Sequence, residues 1–520
     1  MKFSRPMVGL ISAITGGVVV LGVLQLNGRE TNNVPARITV QDAPLNRESG
    51  AVSSYSPVIK RAAPSVVNIY STRTVRVPRM RGMPFPFFPF GEEEWGPVPD
   101  SRRRGRPSEQ GIPRQEQSLG SGVIVSPEGY ILTANHVVEG SDPDGVKVSL
   151  ASGGRQFSAR IVGTDPRTDI AVLKVDGETF PPITLADSDK IEVGDVVMAI
   201  GNPFGVGQTV TAGIVSAIGR TSLGILRQGG QAGYENFIQT DAPINMGNSG
   251  GALIDAEGRL IGINTAIFSP SGGNAGIGFA VPVNMARNVM ERLITSGRVE
   301  RGFLGVTLQE ISPDLVESFG LPDQNGAMVS DVMADTPAAK AGMQPGDVIR
   351  SLNDRPVTDA AQLRLAVSEL SPGTKVTLKI LRSEPGRKPE ERTLTANLEA
   401  LPGEPRLARE GSGAIESDPS SEFDGLDGVE VTDLTPGIRQ ELEVPENVRG
   451  ALVAEVAPDS NSAAAGLRRG DIILEIDRKP VRNADEAVTA SERAKGKRVT
   501  LRVWRGGGST YMSVDNRKKD

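Results

Sequence analysis

The chain has 520 residues, a length typical of three or four domains. It contains no cysteine, which excludes a thiol nucleophile, disulfide bonds and cysteine-based metal sites. The single histidine also excludes the common histidine-based metal motifs, so we expect no metal and no other cofactor. Acidic residues outnumber basic ones, 63 to 57, and this balance gives no basic surface of the kind that binds nucleic acid.

The N-terminal segment, residues 1–29, has the composition of an export signal. Lys2 and Arg5 precede an uncharged run over residues 6–28, which as a helix could cross the ~30 Å hydrocarbon core of a membrane. The basic flank predicts that the body of the chain is exported, to the periplasm. Because no clear cleavage site follows, we favour an anchor retained in the inner membrane over a cleaved signal peptide.

A mostly β architecture is predicted for the central part of the chain. Residues 30–54 are polar and form a predicted tether. From residue 118 onward, short apolar strands alternate with turns rich in Gly, Asn and Asp, which favours a barrel or sandwich. An amphipathic helix is expected over residues 283–297. We therefore assign one domain to residues 55–298, interrupted by a long loop over residues 72–117.

The C-terminal part of the chain contains an internal repeat. Residues 338–357 match residues 462–481, and Asp347 recurs as Asp471, 471 − 347 = 124 positions later. The segment between the two copies has linker composition. The predicted boundaries are residues 300–400 for the first copy, 401–424 for the linker and 425–516 for the second copy.

Both copies resemble PDZ domains. In the first, RGFLGV (residues 301–306) is similar to the PDZ carboxylate-binding loop. The resemblance implies that backbone N–H groups face the C-terminal carboxylate of a peptide, which adds to the sheet as a strand. The second copy carries the acidic Asp427 in the corresponding loop, so we expect it not to bind peptides in the same way. The candidate peptide-binding residues are Phe303, Leu304, Gly305 and Val306.

Three separate segments carry candidate catalytic residues. His136, the only histidine, follows an apolar strand, Asp169 begins a second strand, and Ser249 lies in the glycine-rich segment GNSGG. A serine hydroxyl needs a base within hydrogen-bonding distance, and an imidazole oriented by a buried carboxylate supplies one. The order His, Asp, Ser is that of chymotrypsin-type proteases with two β-barrels. Asp165 is an alternative acid, although Asp165-Pro166 indicates a turn.

The glycine-rich segment also predicts an oxyanion hole and a specificity pocket. Gly247, Asn248 and Ser249 form the candidate oxyanion hole, with the N–H groups of Gly247 and Ser249 as donors. Pro243 lies six positions before the serine, where proteases that cleave after basic residues carry Asp. We therefore expect cleavage after small or medium aliphatic residues. The candidate S1 lining is Ile244, Ala266, Ile267 and Phe268.

The motifs LTANHVV, TDIAVLKV and GNSGGAL, followed by two PDZ-like domains, resemble the HtrA (Deg) family of exported serine endopeptidases. The resemblance implies a mostly β fold, a chymotrypsin-like double β-barrel followed by two PDZ domains. It also implies degradation of unfolded or damaged exported proteins by homotrimers or larger cages. Asn248 lacks the charge that would pair with a newly cut N-terminus, so we expect loops, partner subunits or PDZ ligands to order the active site.

Two other functions remain open on the sequence. A PDZ-based binding protein or holdase with a weak or silent protease is one, although three intact catalytic residues argue against it. An esterase is the other, and the peptide-binding modules disfavour it. The block MPFPFFPF, residues 83–90, is expected to regulate access to the active site because clustered aromatic residues mark binding surfaces. Contact with the membrane is the alternative for this block.

Overall fold

In the computed structural model, the residues whose structure is described are 36–43, 54–77, 112–150, 155–202, 207–228, 231–245, 247–267, 275–384, 387–402, 426–494 and 496–515. They belong to one compact unit that begins at residue 36. The predicted anchor, the block at 83–90 and nearly all of the predicted linker lie outside the described residues. Within the described ranges, no helix is both long and apolar enough to cross a membrane.

The first half of the protease region forms a closed six-stranded barrel with the order β1-β2-β3-β6-β5-β4. Its strands and helices are α1 (Ser56–Ala62), β1 (Val66–Val77), β2 (Ile112–Ile124), β3 (Tyr130–Ala134), α2 (Asn135–Val138), β4 (Val146–Leu150), β5 (Gln156–Asp165) and β6 (Ile170–Val175). β1 and β2 pair along their whole length, with Val77 opposite Ile112. Both strands thus extend into the predicted loop over residues 72–117, which is shorter than the composition indicated.

The second half forms another closed six-stranded barrel, with the order β11-β14-β13-β12-β7-β8. Its strands and its closing helix are β7 (Val196–Gly201), β8 (Thr209–Arg220), a small hairpin of β9 (Arg227–Gln228) and β10 (Gln231–Ala232), β11 (Phe237–Thr240), β12 (Ala252–Asp255), β13 (Leu260–Ile267), β14 (Gly278–Pro282) and α3 (Val283–Ser296). Gly297, with φ of 71°, ends α3 in a left-handed conformation that favours glycine. Helix α3 packs its apolar face into the core shared by the two barrels.

The described part of the predicted tether lies along the second barrel. Val40 forms a parallel bridge with Leu185. The Gln41 N–H donates to the Leu185 carbonyl oxygen at 3.0 Å, and the Arg259 guanidinium donates to the Ala43 carbonyl oxygen at 2.7 Å. This part of residues 30–54 is therefore paired to the barrel, a long-range contact that its polar composition did not predict.

Two further domains repeat one sheet topology, in which the strand order of the second matches that of the first. The first contains β15 (Gly302–Phe303), β16 (Val306–Gln309), α4 (Pro313–Phe319), β17 (Ala327–Val332), α5 (Pro337–Lys340), β18 (Val348–Leu352), β19 (Arg355–Pro356), α6 (Ala360–Glu369), β20 (Lys375–Arg382), β21 (Glu390–Asn397) and β22 (Glu399–Ala400). The second contains β23 (Val429–Asp433), α7 (Pro436–Glu441), β24 (Ala451–Val456), α8 (Asn461–Ala464), β25 (Ile472–Ile476), β26 (Lys479–Pro480), α9 (Ala484–Glu492), β27 (Arg498–Arg505) and β28 (Gly508–Asp515). Two barrels followed by two small sheet domains confirm the mostly β fold predicted from the sequence.

Candidate active site

His136 and Asp169 lie at the ends of two neighbouring strands of the first barrel. Strand β3 ends just before Asn135, β6 begins just after Asp169, and the two strands are paired. The Asn135 N–H donates to the Asp169 carbonyl oxygen at 2.9 Å and joins the two strand ends. The barrel thereby fixes the separation of the imidazole and the carboxylate.

The carboxylate of Asp169 holds the imidazole of His136 in one orientation. His136 Nδ1 lies 2.8 Å from Asp169 Oδ2 and 3.0 Å from Oδ1, and the His136 backbone N–H donates to Oδ1 at 3.0 Å. Asp169 is buried, whereas the His136 side chain is 46% exposed. A carboxylate bound to Nδ1 keeps the proton on that nitrogen and leaves Nε2 free to accept one.

Asp169 has a strained backbone. Its φ of 57° lies in the left-handed region, which costs a residue with a Cβ about 1–2 kcal/mol. This conformation lets the backbone carbonyl accept from Asn135 while the side chain reaches His136. Strain of this kind is concentrated at functional sites in proteins.

Opposing effects set the pKa of His136. Burial lowers the pKa of His136, whereas the hydrogen bond with Asp169 and the negative charges of Asp169 and Glu139 raise it. The raising effects prevail together, so this pKa lies above the ordinary value of 6.5. The ring therefore keeps its proton to a higher pH than a free histidine does.

Ser249 occupies the turn between residues 245 and 252 on the second barrel. Its hydroxyl donates to the Thr265 carbonyl oxygen at 3.3 Å, and no hydrogen bond joins Ser249 to His136 in the described part of the chain. The N–H groups of Gly247 and Ser249 have no acceptor among the described residues. The Asn248 N–H, in contrast, donates to the Asn245 carbonyl oxygen at 3.0 Å, so it shapes the turn and is not free to bind an oxyanion.

The predicted S1 residues are described only in part. Ile244 is buried in the core of the second barrel, where it packs with Ala242 and Leu253. Ala266 and Ile267 belong to β13, and Phe268 lies outside the described residues. Ile244 can therefore form the floor of a pocket but does not project into the open site.

Asp165, the alternative acid, has partners other than His136. Its carboxylate accepts from the Thr168 hydroxyl and from the Arg301 guanidinium, both at 2.5 Å. Asp165 and Arg301 are both buried. Arg301 also lies over the ring of Tyr234, 4.7 Å from its centroid. This cluster joins the β5–β6 turn, which carries Asp169, to the start of the first PDZ domain.

The predicted carboxylate-binding loop lies beside this cluster. The N–H groups of Leu304 and Gly305 have no acceptor among the described residues. Gly305 has a φ of 84°, and a Cβ built there would lie 2.2 Å from Thr336, so only glycine fits. The loop, including Phe303 and Val306 at its ends, borders a cavity of about 150 Å³ that is also lined by Tyr234 of the protease region.

Two residues around the site were not predicted from the sequence. Arg301 is the first residue of the motif RGFLGV, and Ser121 lies in the segment GSG, but neither residue has a local signal of its role. Their partners lie 136 and 126 positions away in the chain. Among the described residues, no group of three or more His, Asp or Glu side chains is placed to hold a metal ion.

Comparison with known proteins assigns the chain to a family. Models of a trypsin-like peptidase domain match residues 120–263, and models of PDZ domains match residues 302–399 and 452–505. The periplasmic serine endoprotease DegP of Salmonella typhimurium is 39% identical over 469 residues, which cover 88% of this chain and 91% of DegP. The chain belongs to the HtrA family of serine endopeptidases.

Further relatives support this assignment. DegP of Escherichia coli K12 is 38% identical to this HtrA-family protease over 489 residues, 92% of this chain and 95% of the relative. Among solved structures, the HtrA-type protease AlgW with a decapeptide is 45% identical with a TM-score of 0.52, covering 68% of this chain and 100% of AlgW. AlgW with a tripeptide is 44% identical with a TM-score of 0.53, covering 68% and 98%.

Proposed function

We propose that this HtrA-family endopeptidase works in the periplasm and degrades unfolded or damaged proteins, with Ser249 as nucleophile, His136 as base and Asp169 as the acid that orients it. One arrangement carries the proposal: the only imidazole of the chain is held through Nδ1 by a buried carboxylate, and the N–H groups of Gly247 and Ser249, which have no acceptor among the described residues, are suited to bind an oxyanion. The periplasmic location is stated for the DegP relatives in their names and is proposed for this chain by likeness.

The proposed reaction begins when the Ser249 hydroxyl turns from the Thr265 carbonyl oxygen toward His136. Ser249 Oγ attacks the substrate carbonyl while its proton passes to His136 Nε2. The negative charge that forms on the carbonyl oxygen is stabilised by the N–H groups of Gly247 and Ser249. His136 then protonates the leaving amine, and water hydrolyses the acyl-enzyme by the same steps.

Substitution of the three residues tests this assignment. Ser249→Ala, His136→Ala and Asp169→Asn are each expected to lower kcat for a quenched-fluorescence peptide by about 10⁴-fold or more, and combining them adds little because the residues act as a unit. Retained folding is checked by circular dichroism. Substantial cleavage by the His136→Ala variant would contradict the proposal, because no other histidine can replace it.

The pH dependence gives a second test. A general base must be unprotonated, so kcat/KM should rise with pH as His136 loses its proton, with a midpoint above 6.5. The Asp169→Asn variant removes the hydrogen-bonded charge that raises the pKa of His136, while burial still lowers it. Its residual activity should therefore rise at lower pH than in the wild type. An unchanged midpoint would show that another group titrates.

Substrate choice is proposed to follow from an apolar S1 pocket formed with Ile244, Ala266, Ile267 and Phe268. Position 243 is proline, so the carboxylate that would bind a basic residue is missing there. We expect product ends at Val, Ala or Ile when an unfolded protein is digested and the peptides are sequenced by mass spectrometry. Product ends mainly at Lys or Arg would contradict this pocket.

Regulation by PDZ ligands and assembly into homotrimers or larger cages complete the proposal. Peptides with a free apolar C-terminus should bind at Phe303–Val306 and raise activity, and amidation should weaken this effect because the loop loses its anion. Size measurement of the full-length protein with and without unfolded substrate tests the assembly, and membrane fractionation tests the anchor. In the alternative, a holdase, the Ser249→Ala variant would keep full protective activity against aggregation and the wild type would cleave little.

A further inference from the structure

Ser121 joins the first barrel to the turn that carries Ser249. It lies on β2 and is completely buried. Its backbone N–H donates to the Ser249 carbonyl oxygen at 2.9 Å, and its hydroxyl donates to the Gly247 carbonyl oxygen at 2.7 Å. One residue of the first barrel therefore holds two carbonyl groups of a turn that belongs to the second.

The hydroxyl of Ser121 has two hydrogen-bond partners, which together fix the direction in which it donates. The Asn202 N–H donates to Ser121 Oγ at 2.9 Å. A hydroxyl carries a single proton. The backbone N–H of Asn202 is a donor and cannot accept that proton, so the Ser121 hydroxyl donates it to the Gly247 carbonyl oxygen. The direction of the Gly247–Asn248 peptide is thus fixed by buried hydrogen bonds of the protein and not by solvent.

Within the turn, this peptide is held at its N–H alone: the Asn248 N–H donates to the Asn245 carbonyl oxygen at 3.0 Å, whereas the donor to the Gly247 carbonyl comes from Ser121. Gly247 has a φ of 97°, a conformation open to glycine, and no Cβ restricts rotation about it. The next carbonyl, that of Asn248, accepts from the Gly251 N–H at 2.9 Å. With Ser121 in place, the carbonyls of three consecutive residues each accept a hydrogen bond, whereas the N–H groups of Gly247 and Ser249 have no acceptor among the described residues.

Ser121 is also tied to the strand that ends beside His136. The Thr133 hydroxyl donates to the Ser121 carbonyl oxygen at 2.7 Å. A Cβ at Gly250 would lie 2.2 Å from both the Ser121 carbonyl oxygen and Thr133 Oγ1, so the turn packs directly against this pair. The network therefore extends from the strand before the proposed base to the turn of the proposed nucleophile.

We propose that Ser121 is a positioning residue for the oxyanion hole: its hydroxyl fixes the Gly247 carbonyl so that the N–H groups of Gly247 and Ser249 are preorganised for the transition state. The inference rests on the proposed function of Ser249. An oxyanion hole stabilises the transition state because its donors are fixed before the charge develops. The Gly247–Asn248 peptide lies between the two peptides that carry these donors, so fixing its carbonyl restricts the orientation of one donor relative to the other. Ser121 does not touch the substrate and acts only through the turn.

The test compares Ser121→Ala with Ser126→Ala in the full-length protein. Ser126 is also completely buried near the end of β2, and its hydroxyl accepts from the Tyr130 N–H at 3.4 Å without contact to the Ser249 turn. Ser121→Ala should lower kcat roughly 10- to 100-fold with little change in KM, since one oxyanion donor is worth about 10²–10³. Ser126→Ala should lower the melting temperature but retain kcat.

A readout specific to the oxyanion separates positioning from general destabilisation. A peptide boronic acid forms a tetrahedral adduct, whereas the matching peptide carboxamide does not. Ser121→Ala should weaken boronic acid binding by the same factor as kcat and leave carboxamide binding unchanged. A folded Ser121→Ala protein with wild-type kcat and boronic acid affinity overturns the proposal. So does an equal loss of kcat in Ser126→Ala.

Two further variants keep the result interpretable. Ser121→Cys has nearly the same shape and a weaker donor, so its kcat should lie between those of the wild type and Ser121→Ala; wild-type kcat and boronic acid affinity in this variant would also overturn the proposal. Ser249→Ala is measured in parallel with a fluorophosphonate probe. Labelling or cleavage by Ser249→Ala would refute the proposed nucleophile. An inactive Ser249→Ala beside a fully active Ser121→Ala would refute only the role of Ser121.

Discussion

Each of the two PDZ domains contains an Asp–Arg pair at the same place in its fold. In the first, the buried carboxylate of Asp347 binds the Arg382 guanidinium through two hydrogen bonds of 2.7 Å. In the second, Asp471 binds Arg505 in the same way at 2.6 Å. Each pair ties the turn after a short helix to the end of the fourth strand of the sheet, β20 or β27. The recurrence of Asp347 as Asp471 is therefore explained by the need to hold this turn.

The two domains differ in what their carboxylate-binding loops contact. In the first, Arg301 at the start of the loop is paired with Asp165 of the protease region. In the second, Asp427 accepts from the Asn461 N–H at 2.8 Å and caps a helix of its own domain. One scaffold thus has two uses. The first loop contacts the protease region through Arg301, whereas the second loop contacts a helix of its own domain through Asp427.

The second domain makes its long-range contacts with the first domain. The rings of Tyr511 and Phe319 pack edge to face, with centroids 5.2 Å apart, and the Arg478 guanidinium lies over the Phe319 ring, 4.7 Å from its centroid. Burial raises the pKa of Tyr511 well above its ordinary value. A repeated fold therefore does not predict a repeated role, because the role depends on the neighbour of each copy.

The largest effects are expected where the domains are alike. Asp347→Asn should lower the free energy of unfolding of the first PDZ domain by about 3–5 kcal/mol, because it leaves the Arg382 charge buried without its partner. Asp471→Asn should act on the second domain toward the lower end of that range, since the Arg505 side chain is 38% exposed against 12% for Arg382. Hydrogen exchange resolved by domain measures both.

The exposed pair Lys379–Asp354 provides the control for these two Asp–Arg pairs. The Asp354 side chain is 81% exposed, so Asp354→Asn should cost less than about 1 kcal/mol. Equal losses of unfolding free energy in all three variants would show that the two Asp–Arg pairs contribute no more to stability than the exposed pair does. A loss of stability in only one of the two PDZ domains would show that the Asp–Arg pair does not have the same role in both copies.

The next largest effect should distinguish peptide binding at the carboxylate-binding loops of the two PDZ domains. Gly305→Ala places a Cβ against Thr336 in a left-handed backbone and should weaken binding of a free C-terminal peptide by about tenfold or more, given a strain of ~1–2 kcal/mol. Gly428→Ala, with φ of 68° in the second loop, introduces similar strain but should leave peptide activation unchanged. Fluorescence anisotropy with free and amidated peptides measures the affinities. Loss of activation in Gly428→Ala would mean that the second domain also binds the peptide.

The smallest expected effect concerns the link between the first PDZ domain and the protease region. Arg301→Met removes one partner of the buried pair with Asp165, and the ratio of peptide-stimulated to basal activity should fall about fivefold, the lower end of usual coupling energies. Asp165→Asn should do the same, and the double variant should add little because both changes break one contact. Additive effects, or an unchanged ratio, would show that activation follows another route.

Much of this architecture could be predicted from the sequence because its signals are local. Short apolar strands separated by glycine-rich turns predicted a barrel or a sandwich, the family resemblance implied two barrels, and the repeat predicted two copies of one domain. The serine, histidine and aspartate motifs were recognisable as short segments. The extent of β1 and β2 was not, because Val77 and Ile112 pair across a segment whose composition resembles a loop.

What the tertiary structure alone decided is which of these segments act on one another. Asp165 and Asp169 lie four positions apart, yet one binds Arg301 and the other His136, because the left-handed backbone at Asp169 turns its side chain to the imidazole. Ser121 holds Gly247 across 126 positions through a backbone carbonyl, and a carbonyl is present at every residue, so no sequence pattern marks the partner. The sequence determined the chemistry that is available, and long-range packing determined how it is positioned.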